Sequence, residues 1–500
     1  FGSSLFVGQA LKAKATLELF SMLSAAYRLL FMVFATAAFE SSPTGHNSSM
    51  KTPDSAAHMA RWIVHNANWG FLTTRSISAR NLEAEVLSFS DGAALSLGRV
   101  FFYMMEADMD KRPAAFTISE ASLNSTCGDL KQWHMDPEDP RCARITLSGV
   151  VTRLVGADAE LGRQALFARH PQMEMWPKGH HFQVFELQLH DIWMIDFYGG
   201  GQLIDVSTFL AAEPRHIVPH WDGAHSVMHA ESDAPVPVPP WNHTAARARW
   251  LVYHSLWSSV STISIRLGGL PWGNVRSVTD GVGKTSTGLP VLYLPSDDPS
   301  GQDIERDSHA IVSMSEAALT ERTDPAKGSC GGMDPEDPTC ARITLSGHLR
   351  ALSDPAKISS AEKSMRVRHP LAPWLANVSY YTIDLEKIHF LDFYGGPANL
   401  SVTQYLAVSP EEYLNQDQGQ PCHESFCQQV ADNHGCCPAC GYSWSTSQGR
   451  CVTELPAESL YCRFLEWPSQ KGCCRYCGHW WSDKEQRCVG GRKKQQDIIV

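Results

Sequence analysis

A chain of 500 residues, 43% hydrophobic and 19% charged, is globular in composition and long enough for about three domains. Lys and Arg total 42 against 53 Asp and Glu, a net charge of −11, which excludes the basic footprint of a nucleic-acid binder. Whole-chain collagen, coiled-coil and disordered classes are excluded as well. The 15 cysteines are unevenly placed: eleven lie between Cys422 and Cys488, and only Cys127, Cys142, Cys330 and Cys340 precede them. The C-terminus is therefore expected to be a different kind of module.

Residues 1–38 read as an upstream segment and a signal peptide, with Met22 as the expected start. Arg28 supplies the positive charge, Leu29 to Ala35 the apolar run, and Ala35-Thr36-Ala37 the cleavage site. Sequons at Asn47, Asn124, Asn242, Asn377 and Asn399 agree with a secretory, glycosylated chain. No other segment is long and apolar enough to cross a bilayer, so no stable membrane span is expected.

Residues 57–212 read mostly as strands. Short apolar or alternating runs occur at Ala60–His65, Trp69–Thr74, Glu85–Ser90, Ala114–Ser119, Ala143–Leu154, Phe182–Leu189 and Ile192–Phe197. Helices are expected at Ala157–Arg169 and Asp205–Ala212. Many strands with few helices point to a barrel or sandwich.

Residues 245–410 repeat that pattern. Met135–Gly149 and Met333–Gly347 differ only at Arg141/Thr339. Ala60-Arg61-Trp62 matches Ala248-Arg249-Trp250, and Ser90-Asp91-Gly92 matches Thr279-Asp280-Gly281. Arg169-His170-Pro171 matches Arg368-His369-Pro370, and Asp196–Gly200 matches Asp392–Gly396. The second copy carries insertions, mainly between Asp280 and Met333.

Residues 213–244 form a Pro- and His-rich linker between the copies. Its His216, His220, His225 and His229 are irregularly spaced, which fits a solvated linker better than a metal site, so no metal is expected. Residues 420–490 hold a second duplication. Cys436-Cys437-x-x-Cys440 with Cys451 recurs as Cys473-Cys474-x-x-Cys477 with Cys488, preceded by Cys422 and Cys427 in the first unit and Cys462 in the second. Units this short rely on cross-links. Structural disulfides are favoured over zinc or redox chemistry, with one cysteine of the odd count unpaired. Residues 491–500 are a basic tail, expected to be solvated.

Several of these residues resemble the CREG glycoproteins. They are Arg169-His170-Pro171-Gln172-Met173 with Trp176-Pro177, Ile192-Trp193, and Asp196-Phe197-Tyr198-Gly199-Gly200. Asp136-Pro137 with Pro140 and Cys142, Leu147-Ser148-Gly149 and Ser90-Asp91-Gly92 belong to the same likeness. It is specific in the first copy and looser in the second, where Trp69-Gly70 becomes Trp257-Ser258 and Trp193 becomes His389. The resemblance implies a mainly β chain with a few helices. It would carry two FMN-binding-type split β-barrels in tandem, pyridoxamine-phosphate-oxidase-like, plus small disulfide-rich C-terminal modules. It further implies a secreted or endolysosomal glycoprotein tied to growth and differentiation control, with a glycan or cell-surface receptor as partner. Such proteins are relatives of flavin oxidases without flavin, and they act as homodimers. Two copies in one chain would then pair as an intramolecular pseudo-dimer.

No catalytic constellation recurs between the copies. A flavin phosphate needs clustered cations or free N–H groups. The candidates are Arg75, Arg80 and Arg99 in the first copy and Arg266 and Arg276 in the second. No glycine-rich phosphate loop accompanies them, so surface arginines and no cofactor are expected. An FMN-dependent oxidoreductase with a site between the barrels is the alternative. The Arg-His-Pro triplets are read as helix ends, Asp196 and Asp392 as turn-stabilising carboxylates, and the Phe-Tyr pairs as core or interface. Loop-closing disulfides are expected for Cys127 with Cys142 and for Cys330 with Cys340, free thiols being the alternative.

Overall fold

The computed structural model describes residues 53–75, 81–105, 109–123, 127, 135–217, 238–239, 243–295, 297–319, 329–370, 372, 378–394, 396–414, 442–445, 450–453, 479–482, 484 and 487–490. The expectations for the leader, Asn47, Asn124, Asn242, Asn377, Arg80, His220, His225, His229 and the basic tail fall outside these residues. So do those for Cys422, Cys427, Cys436, Cys437, Cys440, Cys462, Cys473, Cys474 and Cys477. Among the described residues no helix is long and apolar enough to cross a membrane.

The first copy opens with α1 (Pro53–Asn66), which corrects the strand expected at Ala60–His65. Ala56, Ala57, Met59, Ala60, Ile63 and Val64 are all buried, and their spacing is helical over a window longer than six residues. Strands β1 (Trp69–Arg75), β2 (Leu82–Ser90), β3 (Val100–Met105), β4 (Arg112–Ser119), β5 (Arg144–Arg153) and β6 (Phe182–Ile195) follow, with β7 (Gln202–Ile204) at the edge. Their order is β3-β2-β1-β4-β5-β6-β7, and a further β3–β6 pairing closes the barrel. β3 had no counterpart in the expected strands. The two runs expected at Phe182–Leu189 and Ile192–Phe197 join as one strand, and the register slips opposite them between Ser148 and Gly149. That bulge explains the repeated Leu-Ser-Gly. A Cβ on Gly149 would stand 2.0 Å from the Gln188 carbonyl, and one on Gly347 would stand 2.0 Å from that of Asp384. Helices α2 (Gly156–Arg169) and α3 (Val206–Ala211) lie where the sequence puts them.

The second copy repeats the plan with α4 (Thr244–His254), β8 (Trp257–Ser264), β9 (Leu270–Thr279), β10 (Val291–Tyr293), α5 (Pro299–Arg306), β11 (His309–Ser315), β12 (Arg342–Ala351), α6 (Pro355–Arg368), β13 (Tyr380–Leu391), α7 (Val402–Ala407) and α8 (Glu411–Leu414). Its barrel is closed in the order β10-β13-β12-β11-β8-β9. Helix α5 belongs to the inserted segment.

Each barrel has its own core. Leu72, Phe89, Phe102, Phe116, Leu147 and Met194 fill the first, and Val260, Val278, Val312, Ile343, Leu345 and Phe390 the second. A third cluster draws on both copies: Trp69, Phe71 and Val86 pack with Trp257, Val275 and all four barrel cysteines. Trp69 and Trp257, equivalent in the repeat, stack at 5.9 Å. Burial on both faces is why β1 carries no alternating pattern.

The C-terminal duplication appears as two hairpins, β14 (Tyr442–Ser445) with β15 (Arg450–Thr453), and β16 (His479–Ser482) with β17 (Arg487–Gly490). Trp444 lies opposite Cys451 as Trp481 lies opposite Cys488, so the repeated Trp and Cys mark one hairpin register.

Candidate functional site

The repeated hexapeptide makes the same loop in each copy. Asp136 Oδ1 accepts the Glu138 N–H at 2.9 Å, and the Asp136 carbonyl accepts the Asp139 N–H at 2.9 Å. Asp334 does the same for Glu336 and Asp337, each at 2.9 Å. Cys127–Cys142 and Cys330–Cys340 close the loops as disulfides, with Cα separations of 5.7 and 5.5 Å.

Each loop delivers its acids to the other barrel. Asp136 lies 2.6 Å through Oδ2 from His369 Nδ1 and accepts the Ser277 hydroxyl through Oδ1. Glu138 accepts the Ser277 N–H at 3.0 Å and the Arg276 guanidinium at 2.6 Å. Reciprocally, Asp334 lies 2.6 Å from His170 Nδ1 and accepts the Ser88 hydroxyl, while Glu336 accepts the Ser88 N–H at 3.0 Å. Gln172 ties the same loop by donating to the Gly332 carbonyl and accepting the Asp334 N–H.

The Nε2 atoms of His170 and His369 sit 2.9 Å from the Phe89 and Val278 carbonyls. Both nitrogens of each ring therefore face oxygen atoms. Burial alone would raise the Asp136 carboxyl. The charge and hydrogen bond of His369, with Ser277 and the Glu138 amide, outweigh it and hold Asp136 below the ordinary range. Asp334 is lowered in the same way against burial, by His170, Ser88 and the Glu336 amide. Glu336 differs. Burial pushes it up to about 8, Arg342 opposing and Asp334 adding.

A His–Asp pair resembles a general base with its orienting carboxylate, but here the second ring nitrogen, which would meet a substrate, is bonded to a backbone carbonyl. The histidines cap α2 and α6 as expected, yet the Nδ1 of each ring serves the opposite barrel. Their neighbours hold the helix ends: Arg169 donates to the His65 carbonyl at 2.7 Å and pairs with Asp91. The matched Arg61 and Arg249 also have structural partners. Arg61 caps the end of α3 through the Leu210 and Ala212 carbonyls, and Arg249 donates to the Val408 carbonyl.

Asp196 braces its Gly-Gly turn by accepting from Gln202, whereas Asp392 pairs with Arg247 of α4 at 2.5 Å. Tyr198 is 58% exposed and so lies in neither core nor buried interface, while the Tyr394 hydroxyl reaches Asp337 of the hexapeptide loop. His216 is not a solvated linker residue. Its ring packs 4.2 Å from Trp62 and lies 3.3 Å from Glu120, because the start of the linker folds back on the first barrel. Among the described residues no group of three or more His, Cys, Asp or Glu could hold a metal. Asn399 stands exposed beside the buried Leu400, in a sequon whose Ser401 caps α7.

The described arginines proposed for a flavin phosphate are engaged elsewhere. Arg75 donates to the Gly269 carbonyl, Arg99 pairs with Glu186 and Asp158, Arg266 with Asp191, and Arg276 with Glu138 and Asp298. Four carboxylate-bound or carbonyl-bound guanidinium groups do not fit a phosphate cradle. The sequence did not single out Ser88, Ser277, Glu138 or Arg276 as cross-barrel partners. The available signal was the hexapeptide itself, whose charged residues repeat more strictly than a surface loop requires.

The family model described as "CREG, beta-barrel" matches residues 51–211 and 239–407. Protein CREG1 of Gallus gallus is 31% identical over 172 residues, 32% of this chain and 88% of that protein. Protein CREG2 of Mus musculus is 33% identical over 181 residues, 34% of this chain and 62% of its own length. Among solved structures, a heme binding protein from Mycobacterium smegmatis is 14% identical with a TM-score of 0.27, over 64% of this chain and 98% of that one.

Proposed function

Since the chain belongs to the CREG β-barrel family and carries the barrel twice, we propose that it is a secreted or endolysosomal glycoprotein acting by binding rather than catalysis, its two barrels paired as an intramolecular pseudo-dimer. The observation that carries this reading is the reciprocal His–Asp pairing. The residues best suited to acid–base chemistry are spent on structure: each Nδ1 and its carboxylate join one copy to the other, and each Nε2 is held by a backbone carbonyl of its own copy. The two loop disulfides support an oxidising compartment, in line with the leader and the sequons. A role in growth or differentiation control, through a glycan or cell-surface receptor, follows from kinship alone.

The test is a flavin titration of the purified full chain, paired with saturation binding of the tagged chain to intact cells. A colourless protein that takes up no added FMN and binds cells saturably supports the proposal. Stoichiometric flavin uptake with substrate-dependent bleaching overturns it in favour of a flavin oxidoreductase. A mobility shift on peptide N-glycosidase treatment tests the glycoprotein part.

A further inference from the structure

Contacts that both copies make alike cannot choose a partner. The His–Asp pairs, the two serines and the Trp69–Trp257 stack would form as well between two first barrels or two second barrels. Choice rests on positions where the copies differ, and strand register identifies them. Leu87 lies opposite Gly70 as Arg276 lies opposite Ser258. Asp191 lies opposite Ser148 as Lys387 lies opposite Ser346. Trp193 lies opposite Thr146 as His389 lies opposite Thr344.

The mixed pair satisfies the last two differences in full and the first on one side, since Glu336 stands beside Leu87 on the other. Arg276 reaches Glu138 at 2.6 Å with both side chains buried. Arg266 holds Asp191 through two bonds of 2.6 and 2.7 Å. Trp193 meets Trp272 edge-on at 5.4 Å. Two first barrels would set each Glu138 beside Leu87, a buried carboxylate without its guanidinium. Two second barrels would set each Arg266 against Lys387, and each Trp272 against an imidazole. The same difference shows in burial. Arg144, Thr146 and Ser148 of β5 are buried, Thr146 against the Gly273 carbonyl of the partner barrel, whereas Arg342, Thr344 and Ser346 of β12 are only partly buried.

We propose that the two copies have diverged into complementary halves of one interface, so that a first barrel selects a second barrel over another copy of itself, with Arg266 and Asp191 setting the choice. This rests on the barrel pairing proposed above. The Arg266–Asp191 and Trp193–Trp272 contacts occur only in the mixed pair, and the Arg266–Lys387 repulsion only between two second barrels.

The test uses the full chain with a protease site introduced between residues 221 and 237. Cutting removes the tether and its effective concentration, leaving the interface alone to select. Heavy- and light-isotope batches are cut, mixed and read by native mass spectrometry. Exchange that yields only first-with-second pairs, heavy with light included, is the expected result. A statistical mixture of like and mixed pairs overturns the selectivity. Halves that separate without forming any pair overturn instead the pairing on which it rests. Asp191→Lys with Lys387→Asp, both on the strand surface, reverses what Arg266 meets. Several-fold more second-with-second pairs are expected from it, and an unchanged composition removes Arg266 and Asp191 from the mechanism.

Discussion

At Asp136 burial and pairing pull in opposite directions, and pairing wins because His369 and Ser277 meet both carboxylate oxygens. Asp136→Asn replaces the buried carboxylate that meets His369 and Ser277 by a neutral amide. Removing one partner of such a pair costs about 3–5 kcal/mol. For domains of this size the melting temperature should fall by on the order of 10 °C, read by calorimetry at neutral pH. The pH dependence has two parts. Asp136 and Asp334 are lowered from 3.8, so their contribution is complete above that value and is lost only as pH falls through the depressed native values. Glu336 is raised from 4.5 to about 8, so the native state holds a proton that the unfolded state has released between those values. Stability from this group therefore falls as pH rises through that window. Glu336→Gln should flatten the slope, as measured by denaturant midpoints on either side of it.

The hexapeptide loop is the element that couples sequence repetition to assembly. Its shape comes from Asp side chains accepting nearby N–H groups and from a disulfide spanning 15 residues in the first copy. Removing that bridge with Cys127→Ser and Cys142→Ser should cost about 3 kcal/mol by chain entropy, seen as a lower denaturant midpoint for the oxidised chain. The bulge in β12 is equally local. Gly347→Ala forces a Cβ onto the Asp384 carbonyl, a backbone atom with no rotamer to escape into. A loss of about 1–3 kcal/mol is expected, again by denaturant midpoint. The Leu-Ser-Gly repeat was visible in the sequence. Its reason was not, because the atom that excludes a side chain belongs to a strand some 40 residues away.

Across the whole molecule, the two barrels share a buried aromatic seam that neither could bury alone. Trp257→Ala removes one face of the Trp69 stack. A large-to-small change at such a site costs about 3–5 kcal/mol. It should weaken the coupling between copies, so the single barrel transition should split into two in calorimetry, while Leu406→Ala on the surface leaves it single. Much of this organisation was legible beforehand: two copies, most of their strands and the loop cysteines. The strand expected at Ala60–His65 failed because six residues of a helix, read alone, look like an apolar run. The Arg-His-Pro histidines end their helices as read, but their second role was not legible, since their carboxylate partners lie 164 and 233 residues away along the chain.

The sequence by itself determined the tandem repeat, the β-rich character of each copy and the loops that carry paired cysteines, because repetition, alternation and turn chemistry are properties of neighbouring residues. Only the tertiary structure decided what the repeated acids and histidines do. Asp136, Glu138, Asp334 and Glu336 find their partners in the other copy, and no spacing along one copy encodes a contact made across two. The same holds for Arg276 and Leu87, whose difference acquires meaning only where a glutamate from the sister barrel arrives beside it.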